Sequence, residues 1–148
     1  MILFNEKFNN TKYLKSVFNS LNFMYFDNSL PEIQVIIVNN ENLNGCFKFD
    51  FDFEHKLLKN PRIELSIIHN FSYTALEKTL IHEMAHYKVY LGLTSEKIKE
   101  AFAAYDNNDS DTVEKLLEIG KYGHINTWKS IISEINHKYN IKIDIGKY

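Results

Sequence analysis

Leu80-Ile81-His82-Glu83-Met84-Ala85-His86 reads H-E-x-x-H. Residues four apart on a helix lie one above the other, so His82 and His86 share a face and can reach one metal ion. Glu83 directly follows the first histidine, within reach of a water held at that ion. The flanking sequence predicts the helix this requires. Thr74-Ala75-Leu76-Glu77 has the form of a capping box, with Thr74 as cap and Glu77 reaching back from the third helical position. Gly92 is the expected C-terminal stop after Leu91. On a helical wheel Leu76, Leu80, Met84, Tyr87 and Leu91 form the core face. Thr79, His82, His86 and Tyr90 form a neighbouring stripe, with Glu83 between the two.

Upstream, apolar residues at Leu14, Val17, Phe18, Leu21 and Tyr25 have helical spacing, which predicts a first helix over Thr11 to Asp27. Leu30-Pro31 forces an extended exit. Ile33 to Val38 is a β-branched run and reads as a buried strand. Asn39 to Gly45 is a turn. Phe47-Lys48-Phe49-Asp50-Phe51-Asp52-Phe53 alternates aromatic and charged residues, the pattern of a half-buried strand whose charged face suits a sheet edge. His55 to Pro61 reads as a loop or hairpin connection, and Arg62 to Ile67 as a third strand.

Downstream, Ser95–Tyr105 and Asp111–Ile119 read as two helices separated by a polar stretch. A last helix is expected from Asn126 to Tyr139, with Trp128, Ile131, Ile132, Ile135 and Tyr139 on its apolar stripe. Ile141 to Ile145 alternates and suggests a short terminal strand. No repeat or long linker divides the chain. One domain over residues 1–148 is expected, with residues 95–120 as a helical insert.

The sequence has 148 residues, enough for one sizeable core, and a net charge of −2, so no global basic field announces nucleic acid. Its single cysteine, Cys46, excludes an internal disulfide and any Cys-x-x-Cys zinc ribbon, and reads as a small buried residue. Met1 to Lys7 has no signal-peptide pattern and no apolar run reaches membrane-spanning length, so a cytoplasmic protein without a membrane partner is the expectation.

A catalytic zinc takes three protein ligands and leaves one position open. The metzincin completion fails, because Val89 stands where its glycine belongs and Gly92 where its third histidine belongs. His55 and His69 fall in loops, and His137 reads as a solvated helix residue. His124 follows Gly123, where the chain can turn toward a site. The competing choice is a glutamate among Glu96, Glu100, Glu114 and Glu118, all of which read as solvated helix positions. With Glu83 as general base, the chemistry is hydrolysis of a peptide bond by activated water. Tyr90 and Tyr122 are candidates for an oxyanion or substrate contact, and Tyr87 reads as core.

These stretches resemble the SprT-like family, which includes the Spartan-type metalloproteases. Leu21 to Pro31 is similar to the family's helix ending in Y-F-x-x-x-L-P. Asn44-Gly45-Cys46-Phe47 is similar to its glycine-aromatic strand start, and Arg62-Ile63-Glu64-Leu65-Ser66 to its I-x-L-S strand. Thr79-Leu80-Ile81-His82-Glu83-Met84-Ala85-His86 keeps its T-L-x-H-E-x-x-H intact. Gly123-His124-Ile125-Asn126-Thr127-Trp128-Lys129 resembles the segment that carries the family's third zinc ligand, which selects His124. The chain departs in having Ile125 where a glycine is usual, and a longer connection between His86 and His124.

The resemblance implies an α+β, zincin-like fold. A small mixed or antiparallel sheet would pack on the N-terminal helix and the HExxH helix, with further helices toward the C-terminus. It also implies one Zn2+ per chain and proteolysis of DNA-associated proteins. The expected site is Glu83 with His82, His86 and His124. The strand carrying Phe47, Phe49 and Phe51 is expected to offer its edge to a peptide substrate. Lys48, Lys56, Lys59, Lys121, Lys129, Lys138, Lys142 and Lys147 would have to gather into any patch for DNA, and a solvated surface is their plainer reading. The alternative function is a zinc-stabilised, non-catalytic binding module of a phage or mobile element that engages host factors or DNA.

Overall fold

A computed structural model describes residues 10–66, 68–70 and 72–145. Its order is α1 (Thr11–Tyr25), β1 (Gln34–Val38), β2 (Gly45–Asp52), β3 (Leu57–Ser66), α2 (Tyr73–Leu91), α3 (Ser95–Asp106), α4 (Ser110–Leu117), a 3-10 turn (Gly120–Tyr122) and α5 (Thr127–Tyr139). The protein is α+β, with one three-stranded mixed sheet ordered β1-β3-β2. β1 runs parallel to β3, with Gln34 opposite Arg62 and Val38 opposite Ser66. β2 and β3 are joined by residues 53–56 alone, a turn too short for anything but antiparallel pairing. The described residues fall into two compact units, one from those between 10 and 48 and between 61 and 84, the other from those between 49 and 60 and between 85 and 145. Among them no helix is long and apolar enough to cross a membrane.

In the first unit Leu14, Val17, Phe18 and Leu21 of α1 are buried, as their spacing requires. Asn10 caps the helix, its side chain accepting from the N–H groups of Lys12 and Tyr13. The helix ends at Tyr25, two residues short of the expected Asp27, because Asp27 and Asn28 both turn to positive φ. Buried Asn22 then grips the exit from both sides. Its Nδ2 donates to the Leu30 carbonyl at 2.8 Å, and its Oδ1 accepts from the Leu30 N–H at 3.1 Å. Ile63 and Leu65 of β3 and Leu76, Leu80, Ile81 and Met84 of α2 complete the core.

β1 is not the buried strand its composition suggests. It lies at a sheet edge, and only Val35 is fully buried. β2 is the other edge, as its charged face implies. Gly45 opens β2 at a close approach. A Cβ there would stand 2.9 Å from Thr79 Cγ2 and 3.1 Å from the Glu64 carbonyl oxygen. Gly45→Ala is therefore expected to destabilise the fold by about 1–3 kcal/mol, read as a lower midpoint in urea denaturation at unchanged slope.

The second unit is built on aromatic packing. Phe49 and Phe51 of β2 lie against a buried cluster of Ala101, Ala104, Val113 and Leu117 from α3 and α4. Phe49 tilts against Tyr90 at 5.2 Å, and Phe51 meets Phe102 edge-on at 5.9 Å. Trp128, Ile132 and Ile135 carry the buried face of α5. The aromatic face of β2 thus serves as core, while its outer residues Asp50 and Asp52 hold Asn60, His55 and Lys59.

Several local expectations give way. α2 is capped by Ser72 and not by Thr74. The Ser72 hydroxyl accepts from the Ala75 N–H at 3.2 Å, and its carbonyl receives the first helical bond from Leu76. Glu77, freed from a capping role, accepts from the Tyr25 hydroxyl at 3.2 Å. Leu91 is 43% exposed, because the helix ends there and leaves the core face unfinished. β3 begins at Leu57, so most of the expected His55–Pro61 connection is strand. Pro61 is tolerated because pairing with β1 begins only at Arg62. Residues 141–145 form no strand. Asn136 instead bonds both the N–H and the carbonyl of Ile143 at 2.8 Å, which seats Ile143 in the core. Expectations that fall on Met1–Lys7, Ile67 and Lys147 lie outside the described residues.

Candidate metal centre

Helix α2 supplies the first three residues of the site. Its period stacks His82 and His86 on one face and turns Glu83 toward the core, where it is only 3% exposed. The third histidine arrives from the segment between the 3-10 turn and α5. His86 Nε2 faces His124 Nε2 at 3.0 Å. One ring nitrogen from each of His82, His86 and His124 lies within 4.8 Å of the others, a grouping positioned to hold a metal ion. Among the described residues this is the one such His/Cys/Asp/Glu group.

The other histidines are engaged elsewhere or exposed. His55 Nδ1 lies 2.9 Å from Asp52, His69 Nε2 lies 2.7 Å from the Glu41 carbonyl oxygen, and His137 is exposed on α5. The glutamates weighed as alternatives to His124 are absent from the cluster. Glu118 accepts from Thr127, and the Glu114 carboxylate fills the space beside Gly120. These two are not the plain solvated positions their helical setting suggests.

Trp128 fixes two of the imidazoles. Fully buried, it stacks on His86 with ring centroids 5.5 Å apart and planes 21° apart. It meets His124 at 4.6 Å and 89°. One indole therefore backs one ligand ring by its face and the other by a perpendicular contact. Periodicity marked Trp128 as part of an apolar stripe and the resemblance as a neighbour of His124 in sequence, but the period of α5 says nothing of what its buried face touches. Gly123 is a second participant that periodicity does not reveal. A Cβ there would lie 3.3 Å from the Gly120 carbonyl oxygen and 3.7 Å from His86 Cε1.

Burial pushes the Glu83 carboxyl up to about 8, and its Oε2 is buried without a hydrogen-bond partner. Its Oε1 lies 3.7 Å from His82 Nε2. Burial lowers the His124 pKa, which keeps that imidazole neutral and able to donate a lone pair. A zinc ion with bonds of about 2.0–2.1 Å to tetrahedrally placed nitrogens spaces them by about 3.3 Å. The 3.0 Å approach of His86 and His124 fits that spacing, and three imidazoles beside an orphaned carboxyl oxygen fit a divalent ion.

The tyrosines proposed for an oxyanion contact are placed differently. The Tyr122 hydroxyl donates to both carboxylate oxygens of Asp111, at 3.0 and 3.1 Å. Tyr90 packs against Phe49 and Tyr87, and burial raises its pKa. Cys46 is half-buried on β2, its thiol pKa raised by burial first and by the Glu83 charge second. Lysines once weighed as a basic patch are partly neutralised, with Lys48 on Glu64, Lys59 on Asp52 and Lys121 on Asp111.

No family model, no curated protein and no solved structure matches this chain.

Proposed function

We propose that this protein is a zinc-dependent endopeptidase of the SprT-like type. The observation that carries the reading is the convergence of His82, His86 and His124 beside buried, half-unpartnered Glu83. A structural metal site has no use for a buried carboxylate with an open oxygen, whereas hydrolysis needs a base there.

His82, His86 and His124 would hold the zinc, and Trp128 orients two of those rings. Bound zinc supplies Lewis-acid polarisation of the scissile carbonyl and a lowered pKa for water. Glu83 takes the water proton on its carboxylate and passes it to the departing amine. Burial alone would keep this carboxyl protonated at neutral pH, and a cation held by the three histidines would lower its pKa and free the carboxylate to accept that proton. The backbone of β2, at the sheet edge, is where an extended peptide would add as a strand, since Phe49 and Phe51 themselves are committed to the core. Proteins associated with DNA are the substrate class this reading favours. Binding of single-stranded DNA that weakens steeply with salt supports that part, and no binding at low salt removes it.

The test of the site is metal analysis. Wild type is expected to purify with one zinc per chain, while His82→Ala and His124→Ala lose it or bind it at least about a hundredfold more weakly. Full zinc retention in either variant, measured by atomic emission after dialysis against a mild chelator, counts against the assigned ligand set.

A further inference from the structure

Helix α4 lies in the stretch that the sequence marks as an insert, yet Asp111 and, at its C-terminal end, Glu118 bind the segment that carries His124, and Glu114 lies against it. Near its start, Asp111 accepts from the Tyr122 hydroxyl and pairs with Lys121. In its middle, the Glu114 carboxylate occupies the space a side chain would need at Gly120, whose φ is +56°. At its end, Glu118 spans nine residues to Thr127. Its Oε1 accepts from the Thr127 N–H at 2.8 Å and its Oε2 from the Thr127 hydroxyl at 2.7 Å. Asn126, the residue placed to cap α5, makes no side-chain capping bond. Glu118 therefore does that work from outside the helix, with a carboxylate at the positive end of the helix dipole.

We propose that Glu118 is a positioning residue for the third metal ligand. Its carboxylate closes the loop of residues 118–127, and His124 lies inside that loop. The bonded residue, Thr127, directly precedes Trp128, whose ring meets both His124 and His86. Fixing the first turn of α5 thus fixes the indole against which the two imidazoles sit. Glu118 itself takes a left-handed conformation, φ 53° and ψ 54°, at the C-terminus of α4. Glycine is the residue that adopts this conformation without strain. A glutamate there is unfavourable for the helix end alone, and its carboxylate bonds to Thr127 give its presence a physical reason.

The proposal rests on the metal reading above, and its test separates the two. Glu118→Gly suits the backbone at 118 but removes the clasp. It is expected to leave the Tm of the metal-free protein within a few degrees of wild type, yet to weaken zinc binding by about tenfold or more in chelator competition. Its cobalt-substituted form should lose the intense visible bands of a four- or five-coordinate ion as His124 drops out. Glu118→Gln can still accept from the Thr127 N–H and donate to its hydroxyl oxygen, and should restore affinity to within about threefold of wild type. If Glu118→Gly does not fold, Thr127→Val carries the test, and a loss of about threefold or more is expected from its missing hydroxyl bond. Wild-type zinc affinity in whichever of Glu118→Gly and Thr127→Val is measured overturns the clasp and leaves the triad standing. A wild-type protein that binds no zinc overturns both.

Discussion

Glu83→Gln is expected to keep its zinc and to lose peptide-bond hydrolysis by about 10²- to 10⁴-fold, the usual contribution of a positioned general base. The amide has the shape of the carboxylate and fits the same buried position between Leu80 and Tyr87, turn for turn on α2. It cannot accept a proton at neutral pH. The ligands His82, His86 and His124 are unchanged, so metal content should stay at the wild-type value while turnover of an unfolded protein substrate falls. Parallel zinc analysis and gel-based cleavage assays measure the two quantities on the same samples. Equal turnover in wild type and Glu83→Gln would remove Glu83 from the mechanism, and no turnover in either would favour the non-catalytic binding module.

The same substitution is expected to stabilise the metal-free protein at alkaline pH. Glu83 is 3% exposed, and burial raises its carboxyl from an ordinary 4.5 to about 8. A raised folded-state pKa means that the native state binds the proton more tightly than the unfolded chain does. The associated stability is fully present below pH 4.5 and declines as pH climbs. It is gone above pH 8, where the native state must bury a charge. A shift of that size corresponds to something on the order of 5 kcal/mol. His124 acts at the other end of the scale. Its lowered pKa makes the native state resist protonation, so its contribution is present at neutral pH and lost on acidification. In the metal-free protein the two contributions oppose each other below about pH 6.5, so stability should stay nearly level there and fall toward pH 8, whereas Glu83→Gln should lose the alkaline fall and keep only the loss on acidification. Urea denaturation from pH 5 to pH 9 in the presence of a chelator would show this. An alkaline limb of the same slope in Glu83→Gln would mean that another group sets it.

Much of this protein was legible because local periodicity is written residue by residue. The spacing of Leu14, Val17, Phe18 and Leu21 specifies a buried face of α1, and the alternation from Phe47 to Phe53 specifies an edge strand. His82 and His86 needed only the pitch of a helix to become neighbours. Turn and cap details were less legible, since Ser72 and Thr74 are chemically equal as caps and only the path of the preceding chain decides between them. Ile141 to Ile145 alternates like a strand, but a strand needs a partner edge. The side chain of Asn136 holds that backbone instead.

The sequence alone determined the helix and the placing of His82, Glu83 and His86 on it, because each depends on residues within four positions of one another. It favoured His124 as the third ligand from its place after Gly123, and the resemblance strengthened that choice over a glutamate. The tertiary structure decided that His124, 38 residues from His86, closes the group. It also showed that Asp111 and Glu118 hold the closing loop, with Trp128 set behind two of the rings. The physical reason is loop closure. A helix fixes its own geometry through local hydrogen bonds. A contact between distant segments must offset the entropy of ordering the chain between them, and the groups that do so here are bonds and ring contacts no periodicity encodes.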